Sequence, residues 1–229
     1  MKNQTYLFKL FKDQELLKKA LTHRSWVNEN KNSNGTNERL EFLGDAILEY
    51  LVSKYIYNRY ADKEEGYLTS LRANLVNTKN LSEIALRLGI GEKILLSKGE
   101  IEGGGRTNPS LLADTMEAII GGLFIDQGID MAERFVEENI LIDADKKANS
   151  PLKDPKSLLQ EKVQAKNLPA PKYQVVTESG PDHNKKFTIE VVIDNKTEAE
   201  GVGKSKSEAE QEAAKNALSS YCGIDLNKL

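Results

Sequence analysis

The apolar residues change their period near residue 150, and that change restricts the chain to two kinds of structure in succession. Up to about residue 143 they recur at threes and fours, the spacing of amphipathic helices. The segments are LLKKALTHRSW, ERLEFLGDAILEYLVSKYIYNRY, LTSLRANLVNTKNLSEIALRLGI, SLLADTMEAIIGGLFIDQ and DMAERFVEENILI. Turn-rich clusters, NENKNSNGTN, ADKEEGY and GEIEGGGRTNP, separate them. The polar, proline-containing stretch DADKKANSPLKDP, residues 143–155, is the best candidate for a linker. Beyond it PKSLLQEKVQAKN reads as a helix, and KYQVVTE, KFTIEVVI and TEAEGVG read as short strands. In the second of these Phe187, Ile189, Val191 and Ile193 alternate with Thr188, Glu190 and Val192, the period of a strand. SKSEAEQEAAKNALSSY closes the chain as a helix, with Ser205 and Glu208 at capping-box spacing. The expected architecture is an all-α domain over 1–143, a linker over 144–153, a small α+β domain of order α-β-β-β-α over 154–223, and a tail over 224–229.

Several function classes recede at once. No apolar run approaches the ~20 residues of a membrane span, and Lys, Asp and Gln interrupt every apolar run at the start, against a secretory signal. A single cysteine, Cys222, excludes an internal disulfide and a Cys-based zinc site. A cytoplasmic location with no membrane partner is the expectation. GEIEGGGRTN is glycine-rich but lacks the phosphate-loop pattern, so no nucleotide cofactor is implied. With only His23 and His183, a histidine-rich metal site is not expected. The net charge of −3 does not favour a nucleic-acid partner, but a local patch matters more than a sum.

The acids are the informative feature. In NERLEFLGDA, residues 37–46, each helical residue turns ~100°, so Glu38, Glu41 and Asp45 fall within about 60° of one another. They form an acidic edge beside Leu40, Leu43, Ile47, Tyr50 and Leu51. Such an edge can simply be solvated. A second pair, Asp114 and Glu117 in SLLADTMEAIIGGLF, lies one turn apart on a helix apolar nearly all round. Buried carboxylates are costly unless cations accompany them. The same spacing also suits a capping box with Asp114 as N-cap. Two acidic edges without Cys or His suit Mg²⁺ or Mn²⁺ held through oxygen, and such ions serve phosphate chemistry.

NERLEFLGDA also resembles the signature of the ribonuclease III family. ALTHRSW, EEGYLTSLRA and LLADTMEAIIG resemble its other segments, in the same order, and the C-terminal part resembles a double-stranded-RNA-binding domain. The resemblance implies an endoribonuclease that hydrolyses phosphodiesters of double-stranded RNA, with Mg²⁺ as cofactor and Mn²⁺ as substitute. It implies 5′-phosphate and 3′-hydroxyl ends, two-nucleotide 3′ overhangs, a homodimer with one site per strand, and processing of precursor ribosomal and other structured RNAs. By resemblance Glu41, Asp114 and Glu117 are metal ligands, Asp45 is an essential carboxylate, and Glu38 and Glu65 line the same valley. Phe42 matches a residue that packs across the dimer; a plain core Phe is its ordinary alternative. A non-catalytic double-stranded-RNA-binding protein on the same fold is the rival, and it would be expected to lose acids that are all present here.

The resemblance extends to the tail. A-form RNA is recognised by shape across its minor groove. Gln160 and Glu161 match positions that reach one minor groove, His183 lies in the SGPDHNKK turn that matches a loop entering the next, and Lys204 and Lys206 match phosphate contacts. No arginine follows Arg134, and lysines bind phosphate as point charges. Ser207 stands where the family often has a paired lysine, Tyr67 where many members carry a polar or acidic residue, and TNPS lacks a common charge before the Ser. None of these departures removes a catalytic carboxylate.

Overall fold

A computed structural model describes residues 6–30, 35–181 and 185–222 and divides the chain into two compact units, Met1–Ala148 and Asn149–Leu229. The first is helical: α1 Tyr6–Leu10, α2 Gln14–Ala20, α3 Arg24–Glu29, α4 Glu38–Arg59, α5 Glu65–Val76, α6 Thr78–Arg87, α7 Lys98–Glu102, α8 Pro109–Gln127, α9 Ile129–Asn139 and α10 Ala144–Ala148. None of the helices among the described residues is long and apolar enough to cross a membrane.

Helix α8 is the axis of this unit. Leu112, Ala113, Thr115, Met116 and every residue from 118 to 123 are buried, against α4, α6, α9 and α2. Its start is set by Asn108, whose side-chain oxygen accepts the N–H groups of Ser110 (2.9 Å) and Leu111 (3.4 Å), with Pro109 in the first turn. It stops at Gly128, where φ is +84°. Asp114 therefore lies well inside the helix, and its alternative role as N-cap is excluded.

Two expected helices are broken. LLKKALTHRSW bends at Leu21–His23, where Thr22 forms a parallel bridge with Leu95. The 68–90 stretch divides at Asn77, whose side chain caps α6 by accepting the Asn80 N–H at 2.9 Å. The start of the expected linker is also ordered: residues 144–148 form α10. Ala144 is fully buried, Asp145 accepts from Arg59 (3.0 Å) and the Tyr60 hydroxyl (2.7 Å), and the Tyr67 hydroxyl donates to the Ala148 carbonyl at 2.8 Å. Polar composition concealed this helix because one small apolar residue and a few side-chain bonds hold it.

The second unit has the expected order: α11 Pro155–Gln164, β1 Lys172–Ser179, β2 Lys186–Ile193, β3 Lys196–Gly203 and α12 Lys206–Cys222. The strands form one antiparallel sheet, β1-β2-β3. Asp194 and Asn195 both have positive φ, +48° and +63°, which suits the two-residue β2–β3 turn. Ile189, Val191 and Ile193 are buried as their alternation predicts, and Val191 and Ile193 share a core with Leu159, Val163, Ala213, Ala214, Ala217 and Leu218. Gly201 and Gly203 lie against α12 so closely that a methyl on Gly201 would stand 2.1 Å from the Ala213 nitrogen. At the start of α12, the Ser205 hydroxyl accepts the Glu208 N–H (3.1 Å) and the Glu208 carboxylate accepts the Lys204 N–H (2.7 Å).

Candidate active site

The acids of the first unit meet because α4 and α8 touch backbone to backbone. A methyl on Gly44 would stand 1.8 Å from the Glu117 carbonyl oxygen, and one on Gly121 would stand 2.2 Å from that of Leu40. Neither position has room for any side chain. With that separation, one oxygen each from Glu41, Asp114 and Glu117 can lie within 4.8 Å of one another. All three residues are half-buried.

The electrostatics follow from that crowding. Burial, then the charges of Asp45, Asp114, Glu41 and Glu49, push the Glu117 carboxyl up to about 8 from an ordinary 4.5. Glu41 is raised by burial and by Asp114, Glu38 and Asp45. Asp114 is raised by burial, against a lowering by His23 and by its own backbone. A group of carboxyls this unfavourable when ionised takes either protons or a cation. Three convergent carboxylate oxygens and no thiol or imidazole ligand fit a small hard cation.

Other expected residues stand around this centre. Asp45, exposed on α4, acts on both Glu41 and Glu117. Glu38, at the first position of α4, accepts the Thr36 hydroxyl at 2.8 Å. Glu65 is not among the grouped acids. It begins α5, accepts the Thr69 hydroxyl at 2.8 Å, and lines a cavity of about 570 Å³ with Tyr50, Ile56, Tyr57, Leu68 and Arg72. Tyr50, assigned to the apolar face, is 57% exposed beside that cavity. Glu49 was not anticipated, although it lies one turn beyond Asp45; it contributes to the field at Glu117 and is paired with Arg72 at 2.9 Å. Gly44 and Gly121 also went unread, since a glycine adds nothing to a hydrophobic pattern.

In the second unit Gln160 and Glu161 are exposed on α11, with Glu161 paired to Lys153. Lys204 and Lys206 are exposed at the start of α12. His183 lies outside the described residues.

Residues 13–144 match the family described as ribonuclease-III-like, and residues 155–221 match the double-stranded RNA binding motif. The chain belongs to the ribonuclease III family. It is 47% identical to ribonuclease 3 of Halalkalibacterium halodurans over 91% of this chain and 80% of that one. To ribonuclease 3 of Geobacillus kaustophilus it is 45% identical, over 94% and 88%. Among solved structures, the nuclease domain of ribonuclease III from Campylobacter jejuni, described with a region involved in dimer formation, is 42% identical. It aligns with a TM-score of 0.54 over 61% of this chain and all of that one. This ribonuclease III-family member is an enzyme, an endoribonuclease of double-stranded RNA.

Proposed function

We propose that this ribonuclease III-family enzyme cleaves both strands of an RNA duplex as a Mg²⁺-dependent homodimer, leaving 5′-phosphate and 3′-hydroxyl ends with two-nucleotide 3′ overhangs. The convergence of Glu41, Asp114 and Glu117 carries the proposal. These residues would hold the cation, with Mn²⁺ as its substitute. When bound, it supplies charge neutralisation at the phosphate and activation of water. Glu117 must surrender its proton for the site to load, because burial and its acidic neighbours hold that proton up to about pH 8. Asp45, exposed on α4 and acting on Glu41 and Glu117, completes the acidic face toward the strand being cut. Gln160, Glu161, Lys204 and Lys206 grip the duplex by minor groove and phosphate, which leaves sequence largely unread. Precursor ribosomal RNA and other structured RNAs are the natural class of substrate.

The dimer reading has its own support. Phe42, next to Glu41, is 81% exposed, and Tyr50 and Tyr57 on the same helix are 57% and 71% exposed. A core Phe would be covered, and large exposed apolar groups, of which Tyr50 and Tyr57 line a cavity, suit an interface between copies. We assign the place of Glu65 in the acidic valley to the dimer, because within one chain it lies on the cavity.

Incubation of the full chain with a long RNA duplex, with and without chelator, tests the proposal when the product ends are mapped. Short products with two-nucleotide 3′ overhangs, lost on chelation, are expected. Retardation of the duplex without cleavage would instead support the non-catalytic binder.

A further inference from the structure

Lys153 is the last residue of the expected linker, and it lies two residues before the segment 155–221 that matches the double-stranded RNA binding motif. The structure places it in the second unit, which begins at Asn149. Its neighbour anchors the chain there. The Asp154 carboxylate caps α11 by accepting the Ser157 N–H (3.2 Å) and the Ser157 hydroxyl (2.7 Å). It also accepts the side-chain amide of Gln211, from α12, at 2.9 Å. From this fixed point Lys153 Nζ donates to Oε2 of Glu161, two turns along α11.

Glu161 is placed where that contact matters. With Gln160, Ser157, Gln164 and Ala165 it lines a shallow groove of about 490 Å³ on the exposed side of α11. An exposed glutamate samples several rotamers, and fixing one before RNA arrives removes that cost from binding. A bare carboxylate would also repel the phosphates that flank the minor groove. The Lys153 ammonium answers both problems, since it holds the carboxylate in place and cancels its charge. It occupies Oε2 alone. A carboxylate accepts on two oxygens, so Oε1 can still take a hydroxyl proton. The two side chains are 35% and 49% exposed, and an ion pair at such a surface adds little to folding.

We propose that Lys153 is a positioning residue for the RNA interface, holding and neutralising the Glu161 carboxylate so that its other oxygen accepts a ribose 2′-hydroxyl in the minor groove. The inference rests on the reading of Glu161 as a minor-groove contact.

The test compares binding of the full chain, with chelator present, to an RNA duplex and to the same duplex with 2′-fluoro riboses, which cannot donate. The Tm is measured alongside. The wild type should prefer the hydroxyl duplex. Lys153→Gln should lower that preference by about three- to tenfold, the worth of one hydrogen bond, at unchanged Tm. Lys153→Arg, which can still bond the carboxylate, should retain it. A wild-type preference in Lys153→Gln overturns the proposal, including the case where both duplexes bind equally more weakly, which would make Lys153 an ordinary phosphate contact. A raised preference overturns it too, because the pair would then be masking Glu161. So does a Lys153→Arg as impaired as Lys153→Gln, and so does a loss that tracks a lowered Tm. Glu161→Ala tests the reading beneath: a wild-type preference there removes Glu161 from the minor groove and the proposal with it, whereas a reduced preference there beside an unchanged one in Lys153→Gln overturns the role of Lys153 alone.

Discussion

In the first unit, half-buried carboxyls are pressed together by two helices whose backbones meet at Gly44 and Gly121; in the second, Gln160 and Lys206 stand exposed on helices and Lys204 just before one. Both units use glycine to bring backbones close. In the second, Gly201 and Gly203 let β3 lie on α12, and the approach only closes a core of alanines. In the first, the same device brings Glu41 to Asp114 and Glu117. The difference teaches where each unit's function is vulnerable. A site made by compression is lost when the compression is disturbed. A surface made of separate exposed charges loses affinity one increment at a time.

The largest expected effect breaks the comparison at its sharpest point. Glu117→Gln should reduce cleavage by more than about 100-fold while duplex binding stays within about twofold, because the change touches only the first unit. Cleavage rates on a duplex, set beside gel retardation, measure both. A variant that cuts at the wild-type rate would remove Glu117 from the site.

Gly44→Ala comes next. A methyl 1.8 Å from the Glu117 carbonyl must push α4 from α8, costing about 1–3 kcal/mol or more in urea denaturation and weakening Mn²⁺ binding as the acids separate. Gly66→Ala is the control. Its methyl meets nothing within 4 Å in α5, and it should be neutral or stabilising by up to about 1 kcal/mol. Equal stabilities for the two variants would show that the close approach is not required.

Acidity probes the same compression more gently. The Glu117 carboxyl titrates near 8 when folded, above its ordinary 4.5, so the folded protein holds a proton that the unfolded chain has released between those values. Its contribution to stability is full below about 4.5, declines as the pH rises, and is gone above about 8. Glu41 and Asp114 are raised too and act in the same direction. The metal-free Tm should therefore fall between about pH 5 and 8, less steeply in Glu117→Gln, and Mn²⁺ should bind more weakly as the pH drops below about 8. A parallel decline in wild type and variant would contradict this origin.

The smallest effects belong to the second unit. Lys204→Gln and Lys206→Gln should each lower the slope of log affinity against log salt by roughly one, uniformly across duplex sequences. Cleavage at saturating RNA should be unchanged. A salt slope that does not move would show that these lysines face solvent rather than phosphate.

Much of this was legible before the fold. The change from helical to alternating period announced both units, because periodicity reports which face of a local element is buried. The acids were legible for a related reason: Asp114 and Glu117 contradict an apolar helix, and only a functional partner resolves the contradiction. Helix ends were less legible. Asn77 and the Leu21–His23 bend interrupt patterns that remain periodic across them, because the interruptions depend on side-chain caps and on pairing with Leu95. The polar composition of 144–148 likewise hid α10, which a buried Ala144 and the Arg59–Asp145 pair hold.

By itself, then, the sequence determined the classes of element, their order, and which carboxylates conflict with their surroundings, since all of these are encoded within a few turns of chain. The tertiary structure alone decided that Gly44 and Gly121 bring α4 onto α8, that Glu65 lies on the cavity rather than with the grouped acids, that Phe42 is uncovered, and that Thr22 is tied to Asn37 at the start of α4. Those facts are distances between residues far apart in the chain. They are set by which backbones can approach, and a glycine permits approach by the absence of a side chain, which leaves no periodic mark to read.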